Sequence, residues 1–149
     1  MNIATEIGFL ESEISEIEPV IRKIIKDNKG KILSIIKLRL YRKGIDGNGN
    51  KILPDYSTGT IKEKKGKRQI TSHVTLRDTG EWYGSFYVSY EEGEIKIKSD
   101  SSKTIQLTEK YGNSILEFTN QELEYIILSI IEPEIINRIN SSKQIVIDF

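Results

Sequence analysis

The middle of the chain contains the stretch Thr75-Leu76-Arg77-Asp78-Thr79-Gly80-Glu81-Trp82-Tyr83-Gly84-Ser85-Phe86. It includes the single tryptophan of the sequence and two glycines, which allow backbone conformations that other residues resist. We predict a turn that leads into one short helical or extended turn. Trp82, Tyr83 and Phe86 are expected to point inward and to anchor this segment, so that the rest of the chain is organised around it.

The residues that follow alternate between two faces, which is typical of a β-strand. One face carries Tyr83, Ser85, Tyr87 and Ser89, and the other carries Phe86, Val88 and Tyr90. After a turn at Glu91-Glu92-Gly93, the segment Glu94–Ser99 alternates isoleucines with lysines. The pattern predicts an antiparallel hairpin whose second strand has one face in water.

The N-terminal segment has apolar residues at helical spacing, namely Ile3, Ile7, Leu10, Ile14 and Ile17. Glutamates occupy other positions, without a basic residue among them. We predict an amphipathic acidic helix that stops or kinks near Pro19. Such a helix could pack on its own domain or act as an arm that docks on a partner, and the pattern is compatible with both.

The segment from Lys31 to Lys43 places isoleucines on one side of a helix and basic residues on or near the other. Gly44 predicts the C-terminal end of this helix, with the basic residues of the last turn opposing the helix dipole. The segment is basic enough to lie against an acidic surface. A strand is an alternative for Ile32 to Tyr41, because apolar residues also alternate there.

The C-terminal part contains the strongest helix pattern of the chain. Thr119-x-x-Glu122 has the spacing of a capping box, and apolar residues follow at helical period up to Ile131. Pro133 is expected to bend or restart this helix. The tail Gln144-Ile145-Val146-Ile147-Asp148-Phe149 alternates like a strand, which could pair with a sheet edge of its own chain or of a neighbour.

Together these patterns predict a single α+β domain over residues 1–149. A helical N-terminal arm, residues 1–43, precedes residues 44–149, which hold a small antiparallel sheet with a central hairpin, a long C-terminal helix and a terminal strand. The chain of 149 residues is long enough for a sizeable core.

The composition argues against metal and cofactor sites. The sequence has no cysteine and one histidine, so we expect neither a disulfide nor a metal site built from these residues. Asp46, Asn48 and Asn50 match the first ligand positions of a calcium loop, but Lys51 stands where that loop needs glycine and Ser57 where it needs glutamate. We predict a plain Asn-Gly turn there, and no metal or cofactor.

Charge and hydropathy argue against a membrane. Lys and Arg total 22, as do Asp and Glu, so the formal net charge is zero and gives no global attraction to nucleic acid or to an acidic membrane. The N-terminus lacks the features of a signal peptide, and the longest apolar stretch, Tyr125 to Ile131, is too short for a span. We expect synthesis in a cytoplasm and no membrane contact.

The single histidine, His73, could form a catalytic pair with Ser72, Ser85 or Asp78. No nucleophile elbow or other catalytic motif supports such a pair. Asp78 is better explained as a residue that caps a turn with its carboxylate. We therefore expect that the protein is not an enzyme.

The most basic part of the chain lies just before the central stretch and comprises Lys62, Lys64, Lys65, Lys67 and Arg68, here called the basic cluster. We expect a loop, and three roles are compatible with it: contact with phosphate, as at a DNA channel, contact with an acidic neighbouring subunit, or a solvated surface. No aromatic platform flanks the cluster to stack on bases, so we expect no sequence-specific recognition of nucleic acid.

The central stretch resembles a motif of tailed-phage virion morphogenesis proteins, a group that includes tail-completion and head-tail neck proteins. The motif is Leu76-x-Asp78-Thr79-Gly80-x4-Ser85-Phe86, preceded by the basic cluster as by the lysine-bearing loop of that family. Trp82 stands where the family usually has leucine. Upstream, Tyr41-x-Lys43-Gly44-Ile45-Asp46-x-x-Gly49-Asn50 and Asp55-Tyr56-Ser57-x-x-Thr60 resemble structural proteins of phages of gut Bacteroidota, so the resemblance covers Tyr41 to Tyr87.

The resemblance implies a structural component of a virion, at the head-tail connector, the neck or the tail-completion position. Its copies would form a ring around the tail axis and contact portal, connector or tail subunits, with the basic cluster facing DNA or a neighbouring subunit. The anchor beneath that cluster would be formed by Leu76, Asp78, Thr79, Gly80, Trp82, Ser85 and Phe86. The alternative is a small intracellular nucleic-acid-binding protein that uses the same basic cluster.

Overall fold

The computed structural model describes residues 2–147, apart from the side chains of residues 139 and 141–147. The N-terminal part comprises helices α1 (Ile3–Ile7), α2 (Glu11–Asp27) and α3 (Lys29–Leu38), and a π-helical turn, Arg39–Lys43, extends α3. The middle comprises α4 (Thr58–Gly66), α5 (Glu81–Gly84) and the strands β1 (Phe86–Glu91) and β2 (Glu94–Ser99). The α+β class predicted from the sequence is confirmed.

The C-terminal part begins with α6 (Lys103–Tyr111) and a 3-10 turn, Asn113–Leu116. One long helix follows, in which α7 (Asn120–Tyr125), a π-helical segment (Ile126–Ile131) and α8 (Glu132–Ile147) succeed one another without a break. Pro133 lies inside this continuous helix, directly after the π-helical segment, and does not end it. The predicted long C-terminal helix is therefore confirmed.

The strands β1 and β2 form the predicted antiparallel hairpin, with Val88 opposite Ile97. Ile95 and Ile97 are buried, whereas Lys96 and Lys98 are exposed, as the alternation in the sequence indicates. The turn residues Glu92 and Gly93 both have positive φ, at 54° and 76°, which suits the right-handed twist of a two-residue hairpin.

The first helical pattern is interrupted at Gly8 and not, as predicted, near Pro19. The chain leaves α1 at Gly8, whose φ of 105° allows its N–H to reach the carbonyls of Ala4 and Thr5. Pro19 lies inside α2 and does not end it. Proline removes one helical hydrogen bond, but three buried isoleucines that follow it, Ile21, Ile24 and Ile25, hold α2 against the core.

The segment from Ile32 to Tyr41 is helical, so the strand alternative is wrong. Ile32, Ile36 and Leu40 are all fully buried, and their four-residue spacing places them on one helical face. The π-helical turn ends at Gly44, as predicted, with φ at 60°. An added Cβ at this glycine would approach the His73 side chain to 2.8 Å, so glycine is required there by both conformation and space.

The capping box before α7 is confirmed, because Thr119 accepts from the Glu122 backbone N–H at 3.1 Å and Glu122 accepts from the Thr119 N–H at 2.9 Å. The prediction of a terminal strand is wrong within the described residues, because α8 continues through residues 144–147. Extending a helix adds a hydrogen bond for each residue, whereas starting a strand requires a partner edge. Asp148 and Phe149 lie outside the described residues.

The core lies between α2, α3, the hairpin and the long C-terminal helix. Its fully buried side chains include Ile21, Ile24, Ile32, Ile36, Ile126 and Ile131. The central stretch joins the same cluster through Leu76, Trp82, Tyr83 and Phe86. The π-helical segment of the C-terminal helix supplies Ile126, Ile127, Ile130 and Ile131, so its apolar face is turned inward.

Candidate assembly site

The central stretch forms the predicted aromatic anchor. Gly80 has φ at 90° and leads into the short helix α5, and Thr79 accepts the Glu81 backbone N–H at 3.2 Å. The Trp82 and Phe86 rings meet edge to face with centroids 4.7 Å apart, and both side chains are buried. The Trp82 indole N–H donates to the Thr104 hydroxyl at 3.0 Å, which ties α5 to α6.

Two tyrosines hold the backbone before this anchor. Leu76 is buried with φ at 57°, a left-handed conformation that is costly for leucine. The Tyr56 hydroxyl oxygen accepts the backbone N–H of Leu76 at 3.1 Å and that of Thr75 at 2.9 Å. The Tyr83 hydroxyl donates to the Thr75 carbonyl. These bonds satisfy buried backbone groups and stabilise the unusual turn.

Ser85 links the anchor to the hairpin. Its hydroxyl donates to the Trp82 carbonyl and shares a hydrogen bond with the Ser99 hydroxyl at the end of β2. The predicted anchor residues therefore lie in one segment and help to hold it in place, with the exception of Asp78: Leu76, Thr79, Gly80, Trp82, Ser85 and Phe86. Asp78 does not cap this turn; the hydroxyl of Thr79 takes that position because it lies one residue closer to α5.

The basic cluster lies on a helix rather than on a loop. Most of it falls within α4, which begins after Ser57, whose hydroxyl accepts the Thr60 N–H at 3.2 Å. The sequence did not predict this cap, because Pro54, Gly59 and Gly66 suggested turns. Arg68 follows α4 with a left-handed φ of 57°.

Lys64 of the basic cluster is buried and bound. Its ammonium group donates to the Arg77 carbonyl at 2.9 Å and to the Gln69 side-chain oxygen at 3.3 Å, and it lies 4.8 Å from the centre of the Tyr56 ring. The side chain is only 8% exposed. Lys64 therefore joins α4 to the central stretch through contacts within the chain.

Lys67 is bound as well, but at the surface. Its ammonium group lies 3.1 Å from the Asp78 carboxylate and 3.4 Å from that of Glu63. The hydrogen bond from Lys67 holds the pKa of Asp78 below its ordinary value, and Asp78 in turn raises the pKa of Lys67. The other members, Lys62, Lys65 and Arg68, are exposed and form no ion pair with another described residue.

Of the candidate catalytic pairs, the structure brings His73 together with Ser72, whereas Ser85 and Asp78 are bound to other residues. His73 faces the Tyr41 carbonyl through Nε2 at 2.7 Å, so that nitrogen carries the proton and Nδ1 accepts from the Ser72 hydroxyl at 3.0 Å. Ser85 and Asp78 are engaged in the contacts described above. A cavity of about 190 Å³ beside the anchor, lined by Tyr56, Lys64 and Trp82 among others, is smaller than typical ligand pockets.

The predicted turn at Asp46 is confirmed in its hydrogen bonding. The Asp46 carboxylate accepts the N–H groups of Asn48 and Asn50 at 2.9 and 3.0 Å and the Ser114 hydroxyl at 2.9 Å.

Among the described residues, no group of three or more histidine, aspartate or glutamate side chains is placed to hold a metal ion. Within the same part of the chain, no helix combines the length and apolar character that crossing a bilayer demands.

Sequence reasoning missed a second surface, between the end of α3 and α7. A groove of about 490 Å³ is lined there by Leu38, Arg42, Lys43, Ile45 and Tyr125, together with other residues of both elements. Leu38 and Tyr125 are 47% and 55% exposed. The basic residues were visible in the sequence, but their proximity to Tyr125 depends on how the C-terminal helix packs.

Comparisons of the chain with protein-family models, with curated protein sequences and with solved structures found no match.

Proposed function

We propose that the protein is a structural subunit of a tailed-phage virion, at the head-tail connector, the neck or the tail-completion position. It is made in the host cytoplasm and becomes part of the particle, where copies form a ring and contact portal, connector or tail subunits. The proposal rests on the resemblance of Tyr41 to Tyr87 and assigns no catalytic step to the protein.

One observation carries this proposal. Two parts of the resemblance that are separate in sequence, the basic cluster and the stretch from Leu76 to Phe86, form one structural unit. Lys64 reaches the Arg77 carbonyl and Lys67 reaches the Asp78 carboxylate. The motif residues are thus used to pack and orient a surface, which is what a subunit with a fixed docking face requires.

The exposed apolar side chains are compatible with subunit contacts. They include Leu10, Leu38, Tyr87, Ile105, Tyr125, Leu128 and Ile136. Tyr87 projects from β1, and neither strand of the hairpin pairs with a further strand within the described residues. Open strand edges and exposed aromatic residues are features of protein interfaces.

The outward-facing part of the basic cluster allows non-specific contact with DNA. Three exposed charges are available for this contact, those of Lys62, Lys65 and Arg68. The logarithm of the DNA-binding constant should therefore fall only moderately with the logarithm of the salt concentration, with a slope of about 0.9 for each neutralised phosphate. The alternative, an intracellular nucleic-acid-binding protein, uses the same residues and predicts monomers that bind DNA in the absence of virion proteins.

The proposal is tested by mass spectrometry of purified virions from the source phage, with copy number scaled to the major capsid protein. We expect a fixed, low copy number in mature particles. Absence from particles, with abundance in infected cells, contradicts the virion role. Binding of the isolated protein to a labelled DNA duplex, abolished by Lys62→Glu/Lys65→Glu and retained in Lys110→Glu, would then favour the alternative.

A further inference from the structure

Charge is separated between two parts of the N-terminal half. Between Asn2 and Ile21 the ionisable residues are all acidic: Glu6, Glu11, Glu13, Glu16 and Glu18. Between Asn28 and Ile45 they are all basic apart from tyrosine: Lys29, Lys31, Lys37, Arg39, Arg42 and Lys43. The negative charge of the first segment and the positive charge of the second nearly cancel, so two copies of the chain have no strong overall repulsion. The acidic surface of one copy can therefore attract the basic surface of another.

The acidic part presents an apolar residue at its tip. Leu10 precedes α2 and is 67% exposed, and Glu11, Glu13 and Glu16 on the following turns are exposed as well. The Glu13 carboxylate accepts the Leu10 backbone N–H at 3.2 Å, which fixes the position of Leu10 relative to the helix. Leucine is a poor residue at the start of a helix, so the stability of α2 does not explain its presence.

The groove between α3 and α7 has the complementary character. Its apolar walls include the exposed side chains of Leu38 and Tyr125, and its rim carries Arg42 and Lys43. Arg42 and Lys43 are exposed and form no ion pair with another described residue. The groove therefore offers an apolar recess at a positively charged edge, which suits an apolar side chain flanked by carboxylates.

A buried ion pair keeps this groove in shape. The Arg39 guanidinium pairs with the Glu122 carboxylate and also donates to the carbonyls of Ile45 and Glu117, at 3.0 and 2.8 Å. These contacts connect both walls of the groove. A recess whose walls are already held in place loses little conformational entropy when it is occupied.

We propose that this groove binds the N-terminal end of α2 from a second copy of the chain. Leu10 enters the recess between Leu38 and Tyr125, and Glu11 and Glu16 pair with Arg42 and Lys43. The donor and acceptor surfaces lie on different elements, so the contact is heterologous and each added copy leaves one surface of each kind available. Such contacts close into a ring when the rotation between copies permits, which deepens the proposed function and rests on it.

The interface is tested by charge exchange in the purified full-length protein, with self-association followed by sedimentation velocity. We expect wild-type protein to form oligomers that weaken as salt rises. The variants Arg42→Glu/Lys43→Glu and Glu11→Lys/Glu16→Lys should each sediment as monomers, and their equimolar mixture should associate again. Renewed association in the mixture also shows that both variants are folded. Glu13 is left unchanged because it bonds to the Leu10 backbone.

The matched control is Lys26→Glu/Lys110→Glu, at two exposed lysines outside the groove and the basic cluster, which changes the net charge by the same amount as Arg42→Glu/Lys43→Glu. It should keep the wild-type sedimentation pattern. Monomeric wild-type protein, wild-type-like association of either groove or helix variant, or a mixture that stays monomeric would each overturn the interface. A separate variant, Lys62→Glu/Lys65→Glu, tests the basic cluster: loss of association in this variant alone would overturn the groove and move the interface to α4.

The two proposals fail separately. If the chain is present in virions at fixed copy number but charge exchange has no effect, the groove inference is wrong and the virion role stands. If charge exchange restores association while the chain is absent from virions, the self-association surface stands and the virion role is wrong.

Discussion

The Arg39 guanidinium forms an ion pair with the Glu122 carboxylate, which lies 83 positions later in the chain. The two side chains are only 7% and 14% exposed, and burial lowers the pKa of Arg39 while the Glu122 charge opposes this effect. Glu122 also caps α7 by accepting the Thr119 N–H. One carboxylate thus starts the C-terminal helix and joins it to the N-terminal helices.

We expect Glu122→Gln to lower the free energy of unfolding by about 3–5 kcal/mol, because it leaves a buried guanidinium without its counter-charge. The glutamine oxygen can still accept the Thr119 N–H, so the loss reports mainly on the ion pair. Urea denaturation followed by Trp82 fluorescence measures it. Asp27→Asn, in the exposed pair of Lys23 with Asp27, is the control and should leave stability nearly unchanged; equal losses in both variants would contradict the prediction.

Lys64 and Lys65 are neighbours in the basic cluster but have different roles. Lys64→Met should lower the free energy of unfolding by about 1–3 kcal/mol, because the Arg77 carbonyl and the Gln69 side chain lose their donor. Lys65→Met should change it by less than about 0.5 kcal/mol, since Lys65 is exposed. Chemical denaturation of both variants provides the comparison. Indistinguishable midpoints would show that Lys64 is not a structural residue.

Tyr56→Phe removes a hydroxyl that accepts the backbone N–H groups of Thr75 and Leu76. We expect a loss of about 1–3 kcal/mol, because both groups are buried and remain without an acceptor. Amide hydrogen exchange should accelerate at these two positions before the rest of the core is affected. Tyr87→Phe, at an exposed tyrosine, is the control; unchanged protection of Thr75 and Leu76 in Tyr56→Phe would contradict the role of the hydroxyl.

Alkaline pH should destabilise the protein through its buried tyrosines. Burial raises the pKa of Tyr83 and of Tyr90 far above the ordinary value, so folding favours the protonated phenols. The contribution of these phenols to the free energy of unfolding is complete below the tyrosine pKa of the unfolded chain, about 10. It is lost as the pH rises from that pKa toward the higher pKa of the folded state.

The measurement is urea denaturation between about pH 8 and about pH 11. Tyr83→Phe and Tyr90→Phe should each flatten the fall in stability over this interval, whatever their stability at neutral pH. Tyr87→Phe should retain the wild-type slope because Tyr87 is exposed. An unchanged slope in both buried variants would assign the alkaline loss to other groups.

Pro19→Ala is expected to stabilise the protein by about 1–3 kcal/mol, because proline removes a hydrogen bond from the interior of α2. Part of the gain is offset, since alanine makes the unfolded chain more flexible. Thermal unfolding measures the change, and Ser12→Ala in the first turn of the same helix is the control. A lower melting temperature in Pro19→Ala would mean that the proline ring contributes packing.

The sequence by itself determined the parts of the fold that depend on neighbouring residues. The capping box of Thr119 and Glu122 was visible because both hydrogen bonds span three residues, and the alternation of Ile95 and Ile97 with lysines predicted the buried face of β2. The aromatic anchor was predicted from Trp82 and Phe86 for the same reason. Local spacing decides which side chains share a face, whatever packs against it.

The tertiary structure decided what those faces meet. Lys64 and Arg39 have no local signal that separates them from exposed basic residues, because their partners, the Arg77 carbonyl and Glu122, are brought near only by packing. Pro19 stays within α2, and α8 continues through residues 144–147 although their pattern resembles a strand. A short pattern often fits more than one backbone conformation, and the choice falls to contacts made by residues distant in sequence.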